Sequence, residues 1–430
     1  MAFDTGVQVA NLTDVGMRRT TNQDSSSLIV ADTAELWRDR GHFLMVADGM
    51  GAHAAGELAS KLAAEGVSHL YHKYTELSPP EALQRAVSET NAEVHRRGMA
   101  NPDFHNMGTT ASALVLLPQG AIAAHIGDSR IYRLRGGLVQ QLTFDHSLQW
   151  ELRAAGQITD GSEMSAAIPK NVITRSLGPN ANVQLDLEGP HPIEVGDVYL
   201  LCSDGLTGRV EDDELGALLA CLPAEEAAQT LIDLTNLRGG PDNTTVLIAR
   251  VLTPQVATLG NAPPLAMGAK SETRPVHPAL GIAAGVCALA GIVLLVTGQL
   301  VPGGIALAGA AIAGLVGVVQ RFSGFTRGTP LSGGRMLGRG PYTSTPSTPG
   351  PTMVQKLGTV LEELRDAARD NHWQISWNRI DEFIRQANAA SRAGRHPDAI
   401  ACLGRALSFV MSELRSQNVR KTNSDSAIQY

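Results

Sequence analysis

Aromatic residues make up only 4% of this 430-residue chain, and cysteines number only four. Its 43% hydrophobic share is therefore carried mostly by Ala, Val, Leu and Ile, a bias that belongs to α/β packing or to a lipid-facing segment. Cys202, Cys221, Cys287 and Cys402 are scattered without a CxxC pair or zinc-like spacing, which argues against a disulfide framework and for a reducing compartment. No basic cluster stands against the formal net charge of -7, so nothing points to nucleic acid. The opening MAFDTGVQVANL lacks the basic-then-apolar order of a secretory signal.

What is present, from residue 7 to 251, is an alternation of short β-branched runs with Ala-rich stretches of helical period. The pattern predicts strands over 28–30, 43–46, 112–117, 122–126, 130–134, 198–201 and 245–251. It predicts helices over 56–74, 80–97, 148–155, 212–221 and 224–238. In AIAAHIGDSRIYRLRGGLVQQL the strands follow one another through short Gly-containing turns, which predicts antiparallel pairing rather than βαβ winding. An α/β sandwich is expected.

A Pro/Thr/Gly-rich linker, 254–278, leads to a stretch from Ala279 to Val319 that contains no Asp, Glu, Lys or Arg. One membrane span needs roughly 20 apolar residues, so the stretch reads as two transmembrane helices over 279–320, turning at QLVPGG. The rival is a buried hairpin in a soluble core. Lys270 and Arg274 before the stretch and Arg321, Arg327, Arg335 and Arg339 after it predict a cell-membrane protein with both flanks cytoplasmic. A second low-complexity linker, 321–352, precedes a small all-α module, 353–418. There Val354, Leu357, Leu361 and Leu364 recur at helical spacing, as do Trp377, Ile380, Phe383, Ile384 and Ala387. AGRHPDAIACLGRAL resembles the second half of a single tetratricopeptide repeat, and one copy predicts a helical hairpin or bundle rather than a solenoid. Residues 419–430 are expected to be a disordered tail.

Four aspartates share one local setting. Asp24 ends TTNQD, Asp48 ends MVAD before Gly-Met-Gly, Asp204 ends LLCSD before Gly-Leu, and Asp242 sits in GGPDN before TTVLIARV. Each stands where an apolar run meets a Gly- or Asn-containing turn. One such aspartate is usually an Asx turn. Four gathered at one sheet edge would repel and raise one another's pKa, a conflict that divalent cations resolve. With oxygen donors and no His or Cys at matched spacing, the ion expected is Mg²⁺ or Mn²⁺. Two ions, about 3.5 to 4 Å apart, would leave the site near neutral and ready for an anion.

TDVGMRRTTNQDS, FLMVADGMGAHAAGELAS, MGTTASALVL, AAHIGDSRIYRLRGGLVQQLTFDHS, NVITRSLGP, YLLCSDGLTGRV and GGPDNTTVLIARV stand in this order. Together they resemble the type 2C (PPM) family of metal-dependent serine/threonine protein phosphatases in its bacterial form. The likeness covers 5–253 and stops before the apolar stretch. It implies two antiparallel sheets flanked by helices. It implies that Asp48 bridges two metals with the Gly49 carbonyl as a further ligand, and that Asp204 and Asp242 hold the first metal. Asp24 would position water around the second, Arg19 would take the substrate phosphate, and Asp128 would share a weaker third metal with Asp204. Residues 146–172 correspond to the family's variable flap. The reaction implied is direct hydrolysis of phosphoserine and phosphothreonine on proteins by a metal-bridging hydroxide, with phosphoproteins, substrates of serine/threonine kinases, as partners.

Two positions depart from the family pattern, and a third, Met50, differs from its eukaryotic members, which keep a histidine general acid there. Gln23 stands where many relatives carry Glu, and Ala52 replaces a Gly; neighbouring His53 reads as structural. Cys202 and Arg209 in CSDGLTGR do not make a cysteine-phosphatase loop, because the spacing is one too long and an aspartate interrupts it. The alternative function is a catalytically weak, membrane-tethered binding module with a phosphatase fold, and the tail is a candidate for a protein partner or self-association.

Overall fold

The computed structural model describes residues 6–51, 54–159, 161–169, 172–260, 262, 265–267, 278–299, 301–311, 329–330 and 337–427. The chain divides into two compact units, Met1–Pro263 with Gly333–Tyr430, and Pro264–Ser332.

The first unit is built on two antiparallel sheets. One contains β1 (Val7–Asp14), β7 (Arg130–Arg135), β8 (Leu138–Gln141), β10 (Val198–Cys202), β11 (Thr244–Val251) and β14 (Thr343–Pro346), in the order β1-β11-β10-β7-β8-β14. The other contains β2 (Asp24–Ile29), β3 (His42–Met50), β5 (Ala111–Leu117), β6 (Gly120–Ile126) and β9 (Asp186–His191) in that order, with β4 (Gly108–Thr109) paired to β3. As expected, β7 and β8 pair through a tight turn, whose two-residue loop is Gly136 and Gly137, both at positive φ. β6 and β7, expected to pair as well, lie in different sheets, so the GDS turn between them carries the chain from one sheet to the other.

Alternation along each strand decides where side chains go. Tyr199, Leu201, Leu247 and Ala249 enter the core between the sheets with Leu44, Val46, Leu114 and Leu116. Their neighbours Leu200, Cys202, Val246 and Ile248 face the other way, into a core shared with helices. Strands covered on both faces read as continuous apolar runs, which is why every residue of ASALVLL in β5 is buried. Helices α2 (Ala54–Lys73) and α3 (Pro79–Ala100) flank the second sheet, and α7 (Asp212–Cys221) and α8 (Ala224–Leu237) the first. Shorter helices α1 (Ala34–Asp39), α4 (Leu148–Ala154), α5 (Glu163–Ala167) and α6 (Asp204–Thr207) sit at strand ends and in the expected flap.

The C-terminal segment adds α11 (Pro351–Asp370), α12 (Trp377–Arg392) and α13 (His396–Ala427). These helices are not a free-standing module. Leu357, Leu361, Leu403 and Leu407 lie in the same buried cluster as Leu218, Leu231 and Ile248. Residues 343–346, expected inside a linker, pair with β8 at the sheet edge, where Pro346 ends the strand and its missing N–H costs least.

In the second unit, α9 (Pro278–Val296) and α10 (residues 301–311) form a hairpin, beside a ribbon of β12 (Ala266–Met267) and β13 (Thr329–Pro330). Small residues let the hairpin close: a Cβ on Gly291 would stand 2.8 Å from Leu307, and one on Gly303 2.8 Å from Leu295. The expectation of two transmembrane helices over 279–320 needs correction, because among the described residues no helix is long and apolar enough to cross a membrane. Residues 312–320 of that expectation lie outside the described residues.

Candidate active site

The predicted aspartates converge at one end of the sandwich because five strands of the two sheets end or begin there. Asp24 opens β2 and pairs directly across from Asp48 on β3. Asp128 follows β6, Asp204 follows β10, and Asp242 precedes β11. A cavity of about 260 Å³ is lined by Arg19, Asp48, Gly49, Asp128, Asp204 and Asp242, with Met50 and Asn243 among its further walls. Asp24 is buried outside this lining.

Close backbone approach sets the spacing. A Cβ on Gly49 would stand 2.1 Å from the Gly56 carbonyl oxygen and 2.6 Å from that of Gln23, so only glycine admits the turn after Asp48. The Gly49 amide donates to the Gln23 carbonyl (3.0 Å), and the Asp48 amide donates to Thr110 Oγ1 (2.9 Å). Gln23, the departure from the family pattern, donates its Nε2 to the Gly51 carbonyl (3.4 Å), a bond a glutamate could not make. Ala52 and His53 lie outside the described residues.

The two sheets are tied through Asp24. Its Oδ2 accepts from Ser203 Oγ and Thr245 Oγ1, both at 2.7 Å. Its Oδ1 and that of Asp128 are buried without a hydrogen-bond partner among the described residues. Arg19, the one cation among the described residues lining the cavity, donates Nη2 to Asp242 Oδ2 at 2.8 Å.

Burial and mutual repulsion push these carboxyls upward. Asp24 rises to about 7, chiefly by burial, with Asp204 and Asp242 adding to it. Asp128 rises to about 8 by burial, then by Asp204 and Asp145. Asp48 is driven well above the usual carboxylate range by burial and then by Asp24, Asp204, Asp128 and Asp242. Asp204 rises by burial and by Asp242. An anionic oxygen-only donor set with two orphaned carboxylate oxygens fits hard divalent cations. The tighter group of Glu211, Asp213 and Glu214 is different: Lys356 approaches all three, at 2.7, 3.0 and 3.7 Å, and Arg238 pairs with Glu214, which makes it an ion-pair network.

A second cavity, about 270 Å³, shares Asp128 and Asp204 and extends to Arg130, Asp145 and Trp150. Arg130 holds the Asp145 carboxylate with Nη2–Oδ2 at 2.7 Å, and its guanidinium lies 5.6 Å from the Trp150 ring centre. The flap expected over 146–172 begins at buried His146, whose Nδ1 accepts from the Gly127 amide (3.0 Å) and whose Nε2 meets Asp186 (2.9 Å). The prediction missed Ser203, Thr245, Asn243 and Asp145. They stood in the segments that carried the resemblance, one or three residues from a predicted ligand or inside DHS, but hydroxyl and amide side chains there look like ordinary turn residues.

The family profile described as Protein phosphatase 2C matches residues 18–234. Protein phosphatase PhpP of Streptococcus pneumoniae serotype 2 is 37% identical over 246 residues, 56% of this chain and 96% of that protein. The crystal structure of the Mycobacterium tuberculosis serine/threonine phosphatase PstP/Ppp superposes with a TM-score of 0.50 at 34% identity, covering 57% of this chain and 99% of that one. The catalytic domain of PstP in complex with two manganese ions is also similar, at 34% identity over 57% of this chain and 99% of that one, with a TM-score of 0.49. The chain belongs to the protein phosphatase 2C (PPM) family of serine/threonine protein phosphatases, whose cofactors are Mn²⁺ or Mg²⁺.

Proposed function

We propose that the region 5–253 hydrolyses phosphoserine and phosphothreonine on proteins by direct transfer to water, without a phosphoenzyme. The convergence of four carboxylates on one cavity, with Arg19 at its rim, carries this reading. Asp48 would bridge two metals, with the Gly49 carbonyl beside it, and Asp204 and Asp242 would complete the first. Asp24 would orient water at the second, and Asp128 would share a weaker third with Asp204. When bound, the metals activate water at neutral pH and neutralise phosphoryl charge.

Arg19 is suited to a phosphate because its guanidinium offers a planar fork of donors to two oxygens. Its bond to Asp242 pre-orients that fork over the cavity and leaves the side chain half-exposed, within reach of a protein substrate. Met50, apolar, supplies no proton to the leaving group.

The same reading anchors the enzyme at the cytoplasmic face of the cell membrane. Val286, Leu289, Ile292, Val296, Val301 and Ile305 of the apolar hairpin are each more than half exposed, an apolar surface that water does not favour. Phosphoproteins made by membrane-bound serine/threonine kinases are the natural substrates of an enzyme held there.

The test is phosphate release from a phosphothreonine peptide. Release is expected with Mn²⁺ and lost with chelator, and Asp204→Asn should lower kcat by about 10²-fold or more. Arg19→Ala should chiefly raise KM, by about tenfold. No release at any metal concentration would sink the proposal.

A further inference from the structure

We infer that Arg415, on α13 of the C-terminal segment, is a positioning residue for the phosphatase reaction: it clamps Asp14, and through Asp14 the arch that carries Arg19. The inference rests on the reading of Arg19 as the phosphate-binding residue.

Asp14 ends β1, and its two carboxylate oxygens hold different parts of the molecule. Oδ1 accepts from the Gly16 amide (2.8 Å) and from Asn236 Nδ2 of α8 (3.0 Å). Oδ2 accepts from Arg415 Nη2 (3.0 Å). The turn held through Oδ1 is pressed against the active-site loop: Gly16 lies at φ +80, and a Cβ there would stand 2.3 Å from the Asp242 carbonyl oxygen. Beyond it the chain arches over that loop. The Met17 amide donates to the Gly240 carbonyl (2.8 Å), and Asn243 Nδ2 donates to the carbonyls of Val15 (2.9 Å) and Thr21 (3.0 Å). Arg19 rides on this arch and reaches Asp242 from it.

The same Arg415 Nη2 lies 3.1 Å from Asp233 Oδ1 on α8. One guanidinium thus keeps two carboxylates side by side. Asp233 is buried, and Gln229 Nε2 (2.9 Å) and the Ser408 side chain, which also hydrogen-bond to it, are neutral. Without Arg415 two like charges would face each other with no cation between them. Asp14, the more exposed of the pair, is the one free to swing away, and it would take the Gly16 turn with it. Arg415 lies outside both the stretch that matches the family profile, 18–234, and the segments that carry the resemblance, so the cation of the clamp comes from this chain's own tail.

The experiment compares full-length wild type, Arg415→Ala, Arg415→Lys, Arg415→Ala/Asp233→Asn and Arg19→Ala. Two quantities are read: KM and kcat on a phosphothreonine peptide at saturating Mn²⁺, and amide hydrogen exchange in the metal-free protein. Arg415→Ala should raise KM about fivefold with kcat within about twofold, and speed exchange at residues 15–21 about tenfold while β3 and β10 keep wild-type protection. Arg415→Lys should restore most of both, since an ammonium also separates two carboxylates. Adding Asp233→Asn to Arg415→Ala should restore both as well, by removing the repulsion. Unchanged exchange at residues 15–21, or a rise shared equally by β3 and β10, overturns the inference. If Arg19→Ala leaves KM unchanged, the phosphate-binding reading fails instead, and the exchange of residues 15–21 still decides the clamp.

Discussion

Gly205 follows Asp204 without needing a left-handed backbone, yet a Cβ there would stand 1.9 Å from the Asn243 carbonyl oxygen. The α6 turn and the Asp242 loop touch through this missing side chain, so their two carboxylates are spaced by the contact. Gly205→Ala should leave the protein folded by circular dichroism and lower kcat/KM about 10²-fold, the usual cost of moving a catalytic group by 1 Å. Wild-type turnover in that variant would show that the contact does not space the ligands. His125 offers a different reading at the same scale. It is fully buried, donates Nε2–H to the Phe144 carbonyl (2.9 Å), and meets Ser112 Oγ at Nδ1 (2.9 Å). Burial, helped by His146, lowers its pKa from 6.5 to about 3. Between those values the unfolded chain binds the proton and the folded chain does not, so this contribution to stability is present above pH 6.5 and is lost as pH falls. From pH 7.5 to pH 5 wild type should lose about 2 kcal/mol of its stability relative to His125→Asn, measured by urea unfolding at each pH. A pH-independent difference would mean that the imidazole is protonated inside the fold.

Among the elements, the late strand β14 and the three tail helices alter how the catalytic region holds together. Tyr342, just before β14, donates its hydroxyl to Glu188 of β9 (2.5 Å), and its ring meets Phe144 at 5.5 Å between centres. Phe144 is the residue before Asp145 and also packs on Trp150 of α4, 5.3 Å between ring centres. The tail therefore braces the base of the flap from outside the family's own region. Its helices do the same for α7 and α8, since Leu361 of α11 is buried in their core. Leu361→Ala should cost about 2–5 kcal/mol in urea unfolding, and tail and catalytic region should unfold in one transition. A separate early melt of the tail tryptophans would show that the cluster is not cooperative.

At the scale of the whole molecule, the two units divide the work. The first carries the cavity and all the residues assigned to it, and the second carries the exposed apolar hairpin. Replacing 279–319 with a Gly/Ser linker should move the protein from the membrane pellet to the supernatant and leave kcat/KM on a soluble phosphopeptide within about twofold. Wild-type protein in the supernatant of lysed cells would refute the membrane proposal.

Much of the fold was legible because its signals are local. β-Branched runs, Gly turns and the order of seven short segments lie within a few residues of one another, and pairing through tight turns follows from that spacing. The aspartates were legible for the same reason, since each marks the junction of an apolar run and a turn. The apolar stretch was legible as composition, but not that no described helix in it is long and apolar enough to cross a membrane, because its many Gly and Ala residues lower hydropathy without adding charge. Contacts between distant segments left no such mark. Asp24 faces Asp48 only because β2 and β3 pair in one register, and it is tied to the other sheet only because Ser203 and Thr245 arrive from β10 and β11. TSTP reads as a linker until the open edge of β8 offers it hydrogen bonds. Asp14 and Arg415 are 401 residues apart, and an ion pair across that distance has no period, spacing or motif to announce it. The sequence by itself determined the sandwich, its family and the acidic end of its strands, because these depend on neighbours along the chain. Only tertiary structure decided that the tail packs into the same core and reaches the arch carrying Arg19, because that depends on surfaces formed after the chain has folded.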